Sequence, residues 1–156
     1  MSAAIDAVTA AGIPHRVVHH QPARSLAEAA ERQGVEVRDV AKTLVVRRGD
    51  GDFVFVLVPG DRVISWPKLR TLLGVSRLSM PDAATAKDAT GYERGTITPF
   101  GSSTAWPVIA DERMRGRTIN LGAGERGVGI QLTAEDAASA LDATFADVTD
   151  PESPGS

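Results

Sequence analysis

The clearest feature of the hydrophobic pattern is a pair of apolar segments in the first half of the chain. Residues 42–48 and 53–58 are rich in Val, Leu and Phe, and the short polar stretch 49–52, Gly-Asp-Gly-Asp, separates them. Two such runs joined by a Gly/Asp turn are typical of a β-hairpin. Shorter apolar runs predict further strands at residues 15–20, 77–80, 106–110, 118–121, 128–132 and 145–148.

The helices are marked mainly by their ends. Ser25 has a glutamate three residues later, which is the spacing of a capping box, and Gly34 can close the helix over residues 26–33. Pro67 and Gly74 mark the start and the end of a second helix over residues 66–73. Three more helices are predicted, one opening the chain before Gly12, one from Pro81 to before Gly91, and one from Thr133 to about Leu141.

Length and composition fit one globular domain with a core of its own. The chain has 156 residues, of which 42% are hydrophobic and 24% charged. We predict one domain over residues 1–150 and a disordered polar tail at 151–156. No apolar run approaches the roughly 20 residues of a membrane span, and residues 1–14 lack the features of a signal peptide. We therefore expect a cytoplasmic protein without a membrane partner.

Charge and cysteine content exclude several classes of function. The absence of cysteine excludes disulfides, thiolate metal sites and a cysteine nucleophile. The net charge of -3 and the pI near 5.6 argue against wrapping long nucleic acid, because such proteins usually carry an excess of basic residues. This balance still allows the protein to hold a few phosphates at one end of an RNA.

Two irregular segments are candidates for function. Residues 91–101 are rich in Gly, Thr and Pro and too long for a simple turn, which is common in functional loops. A second glycine-rich loop covers residues 122–127, but it lacks the Lys and Ser/Thr of a phosphate-binding P-loop. We expect this second loop to make a turn that lines a pocket.

Three segments in order carry a family resemblance: Val-Ala-Lys-Thr-Leu-Val-Val at 40–46, Thr-Gly-Tyr-Glu-Arg-Gly-Thr-Ile-Thr-Pro-Phe-Gly at 90–101, and the glycine loop before Gly-Ile-Gln-Leu at 129–132. Together they resemble the YbaK and prolyl-tRNA-synthetase-associated editing domains. The resemblance runs from about residue 3 to residue 148. It implies an α/β (α+β) fold with a mixed, strongly curved or barrel-like sheet surrounded by short helices.

The resemblance also implies a function and a site. Members of this family hydrolyse the ester between a wrong amino acid and the terminal ribose of tRNA, without a metal or other cofactor. The implied partners are the acceptor end of an aminoacyl-tRNA and, as an open alternative, an aminoacyl-tRNA synthetase. The implied catalytic positions are Lys42 on the strand and four positions of the loop: Gly95, Thr96, Ile97 and Pro99. The alternative explanation for Lys42 is an ordinary lysine at the end of a strand. For the loop it is a surface turn without a function.

The loop and the lysine suit different parts of this chemistry. Preorganised backbone amides can stabilise the charge that develops on an ester carbonyl, and Gly95 lets the backbone approach closely. Lys42 has an unperturbed pKa near ~10.4 and is a poor general base, so we assign it to holding phosphate or ribose. Water or the ribose 2'-hydroxyl would then attack the ester. Four further positions are predicted to bind substrate: His20, Gly101, Gly122 and Gly129.

Other candidate groups have structural explanations. His15, His19 and His20 do not form a metal site by our reading, because neighbours on a strand point to opposite faces and no carboxylate lies at ligand spacing. Ser25 is better explained as a helix cap than as a nucleophile. Asp111 follows a strand, where it can cap the turn that comes next.

The amino acid that is removed stays open. The branch of the family that removes cysteine from proline tRNA typically carries Tyr, Ser and Asp where this chain has Val18, Gly122 and Gly129. These differences argue against cysteine specificity and leave alanine, serine, threonine or another small amino acid open. Two rival functions remain. One is a binding module that recognises aminoacyl-tRNA or a synthetase without hydrolysis, and the other is a small hydrolase that acts on a different acyl ester or nucleotide-linked substrate.

Overall fold

The computed structural model describes residues 3–21 and 25–152. The helices are α1 (Ala3–Ala10), α2 (Leu26–Gln33), α3 (Trp66–Leu73), α4 (Ala83–Thr90) and α5 (Ala134–Leu141). The strands are β1 (Arg16–His19), β2 (Ala41–Gly49), β3 (Asp52–Pro59), β4 (Arg62–Ile64), β5 (Val108–Asp111), β6 (Thr118–Gly122), β7 (Val128–Thr133), β8 (Thr144–Ala146) and β9 (Thr149–Pro151). Short 3-10 turns lie at Val37–Asp39 and Glu112–Met114.

The strands form three sheets. The first is antiparallel with the order β1-β7-β6, and the second is mixed with the order β2-β3-β5-β8. In the mixed sheet β2 and β3 form the predicted hairpin, whereas β5 pairs parallel with both of its neighbours. A third sheet pairs β4 with β9. The mixed α/β class is confirmed, but the barrel-like alternative is wrong, because among the described strands both larger sheets end in free edges.

The mixed sheet separates two groups of buried side chains. On one face Ala41 and Val45 pack in a large core with the other sheet and α1. On the opposite face Val46 packs in a smaller core with Leu69 of α3 and Val148. Because alternate residues of a strand point to opposite faces, each β2 residue belongs to one core or the other.

The predicted helix ends are confirmed where local chemistry determines them. Ser25 accepts a hydrogen bond from the Glu28 amide at 3.1 Å, which makes it a cap as expected. Asp111 likewise accepts from the Arg113 amide at the start of a 3-10 turn. Side chains also cap α3, α4 and α5, and glycines in the left-handed conformation end three helices: Gly34, Gly74 and Gly91.

Two predictions about strands need correction, and one pair of strands was missed. Residues 77–80 are not a strand, because only Ser79 pairs, through an isolated bridge to Arg47. The strand predicted over 145–148 is instead Thr144–Ala146. The pair β4 and β9 was not predicted, and its Arg62 to Pro151 register joins distant parts of the chain. Pro151 thus belongs to a strand, while residues 153–156 of the predicted disordered tail lie outside the described residues.

Candidate active site

A pocket of about 550 Å³ lies between the edge strands of the two larger sheets. Val40 and Asn120 form a parallel bridge where β2 approaches β6, and the pocket extends along both strands beyond that bridge. Helix α2 supplies one wall and the two predicted loops supply the other. The lining residues from these elements include Leu26, Ala29, Gln33, Val40–Val45, Arg94–Ile97, Asn120–Gly122 and Glu125–Gly129.

Strand β2 brings Lys42 and Thr43 to the pocket in different ways. Lys42 lies on the face of β2 that carries Val46, and its Nζ donates to the Arg62 carbonyl at 2.6 Å. Thr43 lies on the opposite face, beside Ala41 and Val45. Its Oγ1 is buried and has no hydrogen-bond partner in the part of the chain that the structure describes. An unpaired buried hydroxyl costs stability.

The charge on Lys42 is partly destabilised by its surroundings. Burial lowers the pKa of Lys42 below its usual value of 10.5, while the carboxylates of Glu152 and Asp61 act in the opposite direction. One of its three N–H donors is used by the Arg62 carbonyl, so two remain for a ligand. This arrangement suits a cation that is held in place until a phosphate or hydroxyl reaches it.

The loop over residues 91–101 is held by its own hydrogen bonds. Tyr92 donates its hydroxyl proton to the Phe100 carbonyl at 2.6 Å, and Thr96 donates its hydroxyl proton to the Glu93 carbonyl at 2.7 Å. In contrast, the backbone N–H groups of Gly95 and Ile97 have no acceptor among the described residues. Both residues line the pocket. The loop therefore contains two backbone donors without a protein acceptor in a frame fixed by its own hydrogen bonds, which is one requirement of an oxyanion clamp.

The second glycine loop packs closely on the first. The Gly124 amide donates to the Thr96 carbonyl at 2.9 Å. A Cβ at Gly124 would lie 2.5 Å from the Tyr92 ring, and one at Gly122 would lie 3.2 Å from the Ile97 carbonyl oxygen. A side chain at position 124 would collide with the Tyr92 ring and one at position 122 would be a tight fit, because the two loops are in contact there. The expectation that this loop lines a pocket is confirmed.

The structure brings most of the predicted site residues together. Seven of them line the pocket: Lys42, Gly95, Thr96, Ile97, His20, Gly122 and Gly129. Pro99 and Gly101 are not in its wall. Pro99 is buried within the loop, and Gly101 lies against the Ala3 backbone, where a Cβ would be only 2.5 Å away. These two residues shape the loop from outside the pocket.

Sequence reasoning missed several residues of the pocket wall. Thr43 was not singled out, although its position beside Lys42 on an alternating strand was a usable signal. Gln33 and Asn120 are distant in sequence, and Asn120 Nδ2 donates to Gln33 Oε1 at 2.7 Å. Arg126 also lines the pocket and, like Arg94, makes no ion pair with the described residues.

The titratable groups of the pocket do not include an obvious general base. Its charged lining residues are Lys42, Arg94, Glu125 and Arg126, and the last three are exposed. His20 follows the end of β1, and its Nδ1 lies 2.9 Å from the Gln21 carbonyl oxygen. Within residues 3–21 and 25–152 no group of three or more His, Asp or Glu could hold a metal ion. In the same ranges no helix is long and apolar enough to cross a membrane.

Comparison with known proteins identifies the family. The chain matches the model of the aminoacyl-tRNA editing domain over residues 20–140. It is 31% identical over 134 residues to EbsC of Enterococcus faecalis, provisionally named a Cys-tRNA(Pro)/Cys-tRNA(Cys) deacylase, covering 85% of this chain and 80% of that protein. A proline–tRNA ligase of Thermosipho melanesiensis is 32% identical over 99 residues, which are 64% of this chain and 17% of the ligase.

A solved structure agrees with this result. The structure of hypothetical protein APE2540 has a TM-score of 0.87 and 25% identity, covering 95% of this chain and 99% of that one. The fold, the two loops of the pocket and the sequence matches all indicate one class of protein. The chain belongs to the aminoacyl-tRNA editing domain family.

Proposed function

We propose that this protein is an aminoacyl-tRNA deacylase, which hydrolyses the ester of a small amino acid attached to the wrong tRNA. The unpaired amides of Gly95 and Ile97 in the pocket wall carry the proposal. The ester carbonyl oxygen becomes negatively charged in the transition state, and two fixed N–H donors can stabilise it. The relatives, a deacylase and a proline–tRNA ligase by name, support a tRNA of the proline type.

The remaining groups have roles in holding the substrate. The ammonium of Lys42, with two donors left, binds a phosphate or ribose hydroxyl of the terminal adenosine and so places the ester beside the loop. Arg94 and Arg126 bind the preceding phosphates at the exposed rim of the pocket. Pro99 and Gly101 maintain the loop conformation, and His20 forms part of the wall.

Either water attacks the ester directly, or the ribose 2'-hydroxyl first takes the acyl group and water then cleaves the new ester. The carboxylate among the described lining residues, that of Glu125, is exposed, so we assign the protein's action to positioning and electrostatic stabilisation. Ester cleavage releases the free amino acid and leaves tRNA with its terminal hydroxyl restored. A synthetase that mischarges the tRNA is the expected neighbouring partner.

Deacylation of a panel of charged tRNAs tests the proposal. One proline tRNA is charged in turn with labelled Ala, Ser, Thr, Cys or Pro, and the loss of label is followed with and without the protein. Release of at least one of the first four amino acids above the spontaneous rate supports the proposal. Tight tRNA binding with no release from any of them would support the non-catalytic binding module instead.

A further inference from the structure

A chain of three amide side chains forms part of the pocket wall. Gln33 Nε2 donates to the Ala29 carbonyl at 3.1 Å, Asn120 Nδ2 donates to Gln33 Oε1 at 2.7 Å, and Gln131 Nε2 donates to Asn120 Oδ1 at 3.1 Å. Each bond fixes the orientation of the next amide, because an amide cannot donate through its oxygen. Helix α2, β6 and β7 are thereby joined, and Gln33 and Asn120 face the pocket.

Gly129 leaves the space that the Gln33 amide occupies. A Cβ at Gly129 would lie 2.9 Å from Gln33 Oε1 and 3.3 Å from the Leu121 carbonyl oxygen. Gly129 is buried on β7 and also lines the pocket. A side chain at position 129 would therefore displace the carbonyl of Gln33 from Asn120. Gln33 and Gly129 act as a matched pair at this part of the wall.

The Gln33 amide keeps unused hydrogen-bonding capacity. It has two N–H donors and two acceptor lone pairs, and the chain of amides uses one of each. The spare donor and the spare acceptor belong to one neutral group in a half-buried position. A small hydroxyl group can both donate and accept, whereas a methyl group would leave this amide unpaired on desolvation.

We infer that Gln33 is a specificity-determining residue that favours aminoacyl esters with a small hydroxyl side chain, serine or threonine, over alanine. The inference rests on the proposed deacylase function and adds the substrate class to it. A site that hydrogen-bonds a substrate hydroxyl discriminates against the analogue without it, because its own polar group is then left unpaired.

Two substitutions test the role of the amide from different directions. Gln33→Leu removes the polar group at similar size, and Gly129→Ala keeps it but displaces its carbonyl oxygen. Glu31→Leu is the matched control, because Glu31 is an exposed residue of the same helix and not part of the pocket. Thermal unfolding checks that each variant is folded, and tRNA affinity is measured separately.

The measurement is kcat/KM for one proline tRNA charged with serine, threonine or alanine. We expect the wild-type protein to prefer the hydroxyl amino acids, and we expect Gln33→Leu and Gly129→Ala to reduce the serine-to-alanine ratio by at least about tenfold. Glu31→Leu should leave the serine-to-alanine ratio unchanged. None of the three variants should change the affinity for uncharged tRNA. If Gln33 only holds the helix and the strands together, its loss would lower kcat/KM for serine, threonine and alanine by the same factor, which would contradict the inference.

Two other results would overturn the inference and can be told apart. If the wild-type protein is active but the ratio is unchanged in both folded variants, Gln33 does not determine specificity and the proposed deacylase function stands. If the wild-type protein releases none of the panel of amino acids, the deacylase function itself fails, and the inference fails with it.

Discussion

Lys42 and Thr43 are consecutive residues of β2 whose side chains leave the strand on opposite faces, yet both line the same pocket. Lys42 Nζ reaches the Arg62 carbonyl, while the Thr43 hydroxyl is buried on the face of Ala41 and Val45. This is possible because β2 is an edge strand and the pocket runs along its free edge. One short segment thus places a lysine in the pocket wall and a buried, unpaired hydroxyl next to it.

Thr43→Val should separate stability from activity. The substitution keeps the branched shape but removes a buried hydroxyl without a partner, so the free energy of unfolding should stay the same or rise by about 1 kcal/mol. Deacylation should stay close to the wild-type rate, because the hydroxyl oxygen is not exposed to the pocket. Urea unfolding and kcat/KM measure the two effects. A clear loss of stability would show that the hydroxyl is already satisfied in the free protein.

The pKa values of Lys42 and Lys68 should be shifted in opposite directions from the usual lysine value. Burial lowers the pKa of Lys42 below 10.5, whereas the hydrogen bond to Asp147 raises the pKa of Lys68 above it. NMR of isotopically labelled lysines can follow both, since the chain has only three lysines and single Lys→Arg variants assign the signals. If Lys42 titrates at or above 10.5, its ammonium is not desolvated as described.

The same shifts have opposite consequences for stability at alkaline pH. Native Lys68 binds its proton more tightly than the unfolded chain, so its contribution is fully present below 10.5 and is lost as pH rises through the native pKa. Native Lys42 binds its proton less tightly, so its charge is destabilising below the native pKa and stability increases from there up to 10.5. Lys68→Gln should therefore remove a loss of stability at alkaline pH, and Lys42→Gln should remove a gain of stability as pH rises to 10.5. The free energy of unfolding measured against pH checks both.

Gly124→Ala should damage the contact between the two loops. Gly124 has a φ of +85° and lies against the Tyr92 ring, whereas Gly116 has a φ of +77° with nothing near its Cβ position. Gly116→Ala is therefore the control for backbone strain alone, at about 1 kcal/mol. We expect Gly124→Ala to lower the free energy of unfolding by ~1 to 3 kcal/mol more than Gly116→Ala does, because of overpacking, and to reduce deacylation. Equal losses in the two variants would contradict the close packing of the loops.

Replacing Arg94 and Arg126 by Gln should weaken tRNA binding in a salt-dependent way. Each lost phosphate contact should reduce the slope of log affinity against log salt by roughly 0.7, the value for single strands. Arg70→Gln is the control, because Arg70 lies on α3 outside the pocket. The two pocket variants should still hydrolyse an aminoacyl adenosine that carries no phosphate. An unchanged salt slope would place the phosphates elsewhere.

The sequence predicts best what neighbouring residues determine. The hairpin of β2 and β3 and the caps at Ser25 and Asp111 depend on turns and on donors a few residues away, and these predictions are confirmed. The strand over 77–80 failed because only Ser79 finds a partner. The pairing of β4 with β9 was missed because a three-residue strand has almost no signal of its own.

In the site too, the sequence predicted some residues and missed those whose contacts join distant parts of the chain. Lys42 and the loop residues Gly95 to Ile97 were expected from the family resemblance, and the structure brings them to one pocket. The contact of Gln33 with Asn120 joins residues 87 apart in the chain, so no local pattern could reveal it. The catalytic and binding roles assigned to these residues stay predictions until the variants are measured.

Single-turnover deacylation by wild type, Lys42→Ala, Lys42→Arg and Lys68→Ala tests the central claim most directly. The wild-type protein should release a small amino acid from charged proline tRNA, and Lys42→Ala should lose about 100-fold or more through misplacement of the ester. Lys42→Arg should retain part of this activity, and Lys68→Ala, outside the pocket, should retain nearly all of it. Equal rates for wild type and Lys42→Ala, or no release by the wild-type protein, would contradict the account.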